Sequence, residues 1–145
     1  MKVTIKPIEE APNLDLLKTT FNVDSKNVII AYGDTIYCPK EGMSKDLLEH
    51  ELTHCERQNF NKQSAERWWQ KYMEDKDFRL QEELIAYVNQ YKFCEKVYKD
   101  RNARARILHF LSKELASERY GNLADNPTCL LKLKSIFYLI SLRMK

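Results

Sequence analysis

Apolar residues recur at helical spacing through most of this chain. Leu14, Leu17 and Phe21 follow Asn13, a candidate N-cap, and predict a helix over 13–21. Ser44 can cap a helix reaching about Gln58, with Asp46 favourably placed in its first turn. Three more helices are predicted over about 63–75, 78–98 and 103–119. The first carries Trp68, Trp69 and Tyr72, and the second carries the stripe Leu80, Leu84, Tyr87, Val88 and Tyr91. Tyr120-Gly121-Asn122 stops the third, because Gly121 suits a left-handed cap. Asn126-Pro127 opens a final helix to the C-terminus. Its run Ile136–Ile140, with Leu142 just beyond, lies between Lys134 and Arg143 and suits a packed terminal helix.

Period-two patterning is confined to the first third. Val3 and Ile5 alternate with polar residues and permit a short strand before Pro7. The β-rich runs 27–32 and 35–38 flank Gly33-Asp34 and predict a hairpin. The expected fold is one α+β domain over residues 1–145, mainly helical, with a small N-terminal sheet or hairpin ahead of the helix that starts near Ser44.

Composition narrows the class. A chain of 145 residues that is 43% hydrophobic and 31% charged is neither a disordered tail nor collagen-like, and three Gly and four Pro are too few for a turn-rich sandwich. The 24 basic and 21 acidic residues give +3, which neither demands nor excludes a nucleic-acid partner. Lys96, Lys99, Arg101, Arg104 and Arg106 are interleaved with Glu95 and Asp100 and read as a solvated helix surface, as do Lys132, Lys134, Arg143 and Lys145. No stretch approaches the roughly 20 apolar residues of a membrane span. The start MKVTIKPIEE lacks a signal-peptide core, which places the chain in the cytoplasm. Cys38, Cys55, Cys94 and Cys129 are scattered and read there as small buried hydrophobes.

The chemistry concentrates in Glu49-His50-Glu51-Leu52-Thr53-His54. On a helix His50 and His54 stand one turn apart on one face and can grip a single ion, while Glu51 projects beside them to hold water rather than metal. Zn²⁺ there would lower the pKa of a coordinated water towards about 7. Leu48, Leu52 and Cys55 form an apolar stripe nearly opposite the histidines, so helix packing does not account for the imidazoles. A catalytic zinc usually takes three protein ligands. His109, within Ile107–Leu111, reads first as a packing residue. In Gln81–Tyr87, Glu83, Ala86, Tyr87 and Gln90 share a face, and Ala86 is small enough for close helix approach. Glu83 is therefore the candidate third ligand. Glu82, about 100° away and read as solvated, is the reserve.

The segments EHELTH and EELIAY resemble the gluzincin branch of zinc metallopeptidases, in which HExxH is followed by a glutamate with alanine three positions later. The wider layout over about residues 27–122 is similar to small metallopeptidase-like proteins of phages and prophages. The resemblance implies a zincin-like domain with His50, His54 and Glu83 as zinc ligands, Glu51 as general base and a peptide or protein as substrate. It also implies a bacterial cytoplasm as the setting. Glu56, two residues after His54, departs from the apolar residue favoured there and suggests an exposed helix end. In zincins the strand before the active-site helix edges the cleft, so Thr35–Tyr37 is either a substrate-pairing strand or an ordinary edge strand. Arg79, Tyr87 and Tyr120 are possible oxyanion donors, and Trp68 and Trp69 read as core or rim packing. The alternative function is a non-catalytic zinc-binding regulatory or interaction module of metallopeptidase ancestry.

Overall fold

The computed structural model describes residues 2–143, with side chains described through 139. Strands β1 (Thr4–Pro7), β2 (Ile30–Tyr32) and β3 (Thr35–Cys38) form one sheet in the order β1-β3-β2. Helix α1 (Leu14–Phe21) connects β1 to the hairpin, and five helices follow: α2 (Lys45–Arg57), α3 (Lys62–Glu74), α4 (Lys76–Val97), α5 (Arg101–Leu115) and α6 (Asn126–Arg143). The architecture is α+β and mainly helical. No described helix is long and apolar enough to cross a membrane.

The sheet shares its core with α2. β2 and β3 pair antiparallel, Ile30 with Tyr37 and Tyr32 with Thr35, across the two-residue turn Gly33-Asp34. Gly33 alone carries the positive φ, +67°, where a type II′ turn calls for glycine. β1 pairs with β3 in parallel, Thr4 opposite Thr35 and Pro7 opposite Cys38; proline sits at the end of an edge strand, where its missing N–H costs least. β3 is therefore the central strand, buried along its whole length. This overturns the reading of Thr35–Tyr37 as an edge: β1, whose residues lie 31 positions before their partners in β3, occupies the other side of that strand. Cys55 packs with Ala31 and Ile36, and Leu48 and Leu52 lean on the same cluster, so the apolar stripe of α2 rests on the sheet.

The opposite face of α2 meets α4, where Ala86 is fully buried. Beyond α4, Leu84, Val88 and Tyr91 pack with Leu108, Leu111 and Leu115 of α5 and with Cys129 and Leu133 of α6. On the other flank Trp68 and Tyr72 of α3 join Leu14, Leu17 and Phe21 of α1 and Ile30 and Tyr37 of the sheet. All four cysteines are buried free thiols; burial pushes Cys55 up to about 12 and Cys94 up to about 11, far from a thiolate. Lys96, Lys99, Arg101 and Arg106 are exposed, as are Lys132 and Lys134, whereas Ile140, Leu142, Arg143 and Lys145 lie outside the described side chains.

Three local readings change. Ser44 precedes α2 on extended backbone, but its side chain makes no cap hydrogen bond. Asn13 precedes α1, but its φ of −111° and ψ of 17° depart from the extended backbone that lets a cap side chain reach back, and both its amide atoms are buried without a partner. α5 ends at Leu115 rather than near Arg119. Ser117 Oγ donates to the Glu114 carbonyl at 2.6 Å, and a separate 3-10 turn over Glu118–Tyr120 closes at Gly121, whose φ is +83°. A side chain at Gly121 would stand 3.2 Å from Phe21 and from the Arg79 guanidinium. That turn delivers Arg119 and Tyr120 towards α1 and α4.

Gly33→Ala should be costly, because the added Cβ would lie 2.9 Å from the backbone nitrogen of Lys62 at a positive φ. Chemical denaturation should show a loss of about 2 kcal/mol or more. A loss below ~0.5 kcal/mol would mean that the hairpin and the start of α3 are not locked together.

Candidate metal centre

α2 buries the polar side chains of His50, Glu51, Thr53 and His54; Thr53 accepts a hydrogen bond from Asn89 of α4, and the other three line a common cavity. From α4, Glu83 Oε1 lies 3.0 Å from His50 Nε2 and 3.3 Å from His54 Nε2. One ligand atom from each of the three residues lies within 4.8 Å of the others, a group that could hold a metal ion. His50, His54 and Glu83 are thus brought together, and Ala86 one turn along α4 allows the approach. The second oxygen of Glu83 accepts a 2.6 Å hydrogen bond from the Tyr72 hydroxyl of α3. The site is assembled by three helices.

Hydrogen bonding dictates which ring nitrogen of His50 is free. Asp46 is held below the usual carboxylate range by bonds from Ser44 and Gln90 that outweigh its partial burial, so it accepts and does not donate. Gln90 must therefore turn its Nε2 to Asp46, at 2.8 Å, which leaves Gln90 Oε1 facing His50 Nδ1 at 3.0 Å. His50 Nδ1 is then the donor, which leaves Nε2 facing Glu83, as a lone pair when the ring carries one proton and as a second donor when it carries two. Two lone pairs 3.0 Å apart repel unless a proton or a cation sits between them. A metal ion answers that requirement for both imidazoles and the carboxylate together, so the donor set fits one. His54 Nδ1 is buried without a hydrogen-bond partner; its ring is held by packing, 4.9 Å from the His50 ring and 5.2 Å from Trp68.

The two site carboxylates are driven in opposite directions. Burial alone would raise Glu83, but the adjacent His54 and His50 hold it well below the usual range. Burial pushes Glu51 up to about 8; His50 and, more weakly, Arg119 oppose the rise, and Glu83 adds to it. Glu51 does not join the ligand group and lines the same cavity of about 120 Å³ as His50, His54 and Glu83.

Several neighbours differ from the sequence reading. Glu82 is not solvated: it is 2% exposed, accepts from Trp68 Nε1 at 2.6 Å and pairs with Arg57 at 3.0 Å. The direction 100° from the ligand face is where α3 packs, so Glu82 buttresses the Trp68 ring beside His54 and is no reserve ligand. His109 is exposed on α5, whose buried stripe is Leu108, Leu111 and Leu115, and it neither packs the core nor approaches the site. Arg79 is spent on carbonyls of Tyr120, Tyr72 and Met73 and does not line the cavity. Tyr87 and Tyr120 do line it, their hydroxyls 2.6 Å apart. Glu56 is exposed, as its polarity implied. The sequence reading missed Asp46, Tyr72 and Arg119 as parts of the site. Gln90 carried a signal, its place seven residues after Glu83 on the same helix face.

Comparison with family models, curated proteins and solved structures finds no match to this chain.

Gln90→Leu removes the acceptor that orients His50 without touching a ligand, and should weaken metal binding about 10–100-fold in a competition titration. Unchanged affinity would show that packing alone sets the ring. In metal-free protein the raised Glu51 means that the folded state keeps a proton the unfolded chain releases above its usual 4.5, so stability is lost as pH rises from there to about 8. Glu51→Gln removes that loss. Denaturation should find the metal-free variant more stable by roughly 1–3 kcal/mol at pH 8, with the gap closing near pH 4–5; a gap widening towards acid would reject a buried, raised carboxyl.

Proposed function

We propose that this chain is a zinc-dependent metallopeptidase of the HExxH…E, or gluzincin, type, acting on a peptide or protein. The supporting observation is the convergence of His50, His54 and Glu83 in the cavity where Glu51 stands apart from the ligand group. The separations of 3.0 and 3.3 Å from Glu83 Oε1 to the two imidazoles approach the ~3.3 Å edge of a tetrahedron with ~2.0 Å bonds, the length zinc makes to nitrogen and oxygen. Four buried free thiols accord with a reducing, cytoplasmic setting.

When bound, Zn²⁺ would supply the positive charge that acidifies water and polarises a peptide carbonyl. The remaining work falls to the protein. Tyr72, bonded to the outer oxygen of Glu83, and Gln90, bonded to Nδ1 of His50, hold the ligands in orientation. Glu51 takes a proton from the attacking water and returns it to the leaving amine. Its burial makes it a stronger base than a solvated glutamate, and the positive charge introduced with zinc would favour its ionised form. Tyr87 and Tyr120 both line this space with their hydroxyls bonded to each other, and the one that accepts in that bond keeps its proton to donate to an oxyanion.

The second reading, a zinc-holding interaction module without turnover, draws on the burial of the ligands, each no more than 4% exposed. A purely structural zinc is ordinarily closed by a fourth protein ligand, and the described ligand group has three members.

Protein purified without a histidine tag or added metal should carry one zinc per chain, and Glu83→Ala should lose it. Glu51→Gln should keep the metal and lose peptide hydrolysis by at least about 100-fold. Full metal with no turnover in the wild type would select the interaction module; no stoichiometric metal would reject both readings.

A further inference from the structure

The ligand cluster explains where a peptide bond would be cut but not which part of a chain reaches it. Three features bear on that. The first is the sheet edge beside the site. Ala31 C=O and Gly33 N–H point outward from β2, where an extended peptide would pair. Both are already taken: the buried Gln58 side chain donates Nε2 to the Ala31 carbonyl at 3.1 Å and accepts the Gly33 N–H at 2.7 Å, and Trp69 Nε1 adds a second donor to Ala31 at 3.0 Å. Gln58 stands in for a further strand. With β3 in the middle of the sheet, an internal stretch of substrate finds this edge closed.

The second feature is size. A cavity of about 120 Å³ walled by Leu17, Phe21, Val28 and Leu47 resembles the ~150 Å³ apolar cavity that takes a single benzene, and has room for one side chain rather than several. The third is charge. Arg119 is the one lysine or arginine among the described residues lining the cavity. It also lines two outer grooves of about 310 and 330 Å³, which meet the cavity at Asn27 and Arg119. Its Nη2 donates to the exposed Asn27 carbonyl at 3.1 Å, and its side chain bonds Tyr120. Its ion-pair partner Glu114 is 3.5 Å away, and the Arg119 side chain is 36% exposed. An ion pair so placed is weak and readily exchanged. A planar guanidinium with spare N–H groups suits a carboxylate.

We propose that Arg119 anchors the terminal carboxylate of the substrate, so that the site accepts peptide ends with a free C-terminus and an apolar last side chain. This rests on the hydrolase reading. Water adds across a peptide bond near that end: its oxygen joins the acyl carbon, the C–N bond breaks, and the carboxylate-bearing fragment leaves as the amine with the proton passed on by Glu51.

Binding separates this from the hydrolase claim. Zinc-loaded Glu51→Gln protein is titrated with acetylated tripeptides ending in Leu, Val, Phe or Met, each as the free acid and as the C-terminal amide. At least one acid should bind tenfold or more tighter than its amide. Adding Arg119→Gln should erase the difference, adding Arg119→Lys should keep part of it, and zinc content should not change in either. Equal binding of acid and amide, discrimination that survives Arg119→Gln, or no binding of any acid would overturn the anchor. Carboxylate preference in the variant with no cleavage by the zinc-loaded wild type would instead sink the hydrolase reading, whereas zinc-dependent cleavage of amides as fast as acids would sink the anchor and leave that reading standing.

Discussion

Glu83 carries a charge into a helix–helix interface where its own burial penalises it, and the surrounding structure is arranged to keep that charge in place. Two imidazoles face one oxygen and a tyrosine hydroxyl bonds the other. An ionised carboxylate in such a place is tolerated only when its oxygens are satisfied by donors or a cation. This requirement ties α2, α3 and α4 together: α2 brings the histidines, α3 brings Tyr72, and α4 brings Glu83 with Ala86 beneath it. The apolar stripe of α2 on the sheet supplies the burial that stabilises the helix, which frees its other face for polar groups that do not pack well by themselves.

Around this centre the polar groups are layered. Asp46 orients Gln90, Gln90 orients His50, and Glu82 with Arg57 braces Trp68 against His54. Chains of this kind hold ligand atoms to a fraction of an ångström, since each side chain loses its partner if it rotates. His54 is the exception. Its Nδ1 has no partner, and aromatic packing from Trp68 and His50 holds the ring instead.

The same economy closes the sheet. Gln58, one residue beyond α2, turns its carboxamide onto β2 and satisfies two outward backbone groups at once. The structure so protects an edge that would otherwise be open to strand addition. Among the residues lining the cavity, the Arg119 side chain from the 3-10 turn bonds the Asn27 carbonyl ahead of β2, 92 residues away in sequence. The early stop of α5 and the left-handed Gly121 are what bring Arg119 there.

Residue spacing was enough to place the six helices, the hairpin and the His50–Glu51–His54 constellation, because each depends on a period of two or 3.6 residues within one segment. It also singled out Glu83, because Ala86 three residues on marks a face built for close approach. What the spacing could not determine depended on partners distant in the chain. β1 turned β3 from an edge into the centre of the sheet, α3 buried Glu82, the packing of α5 through Leu108, Leu111 and Leu115 left His109 in solvent, and the turn after α5 carried Arg119 to the cavity. A local pattern tells which face of an element is apolar; only the packing of all the elements decides which neighbour, if any, a polar side chain on the other face will meet.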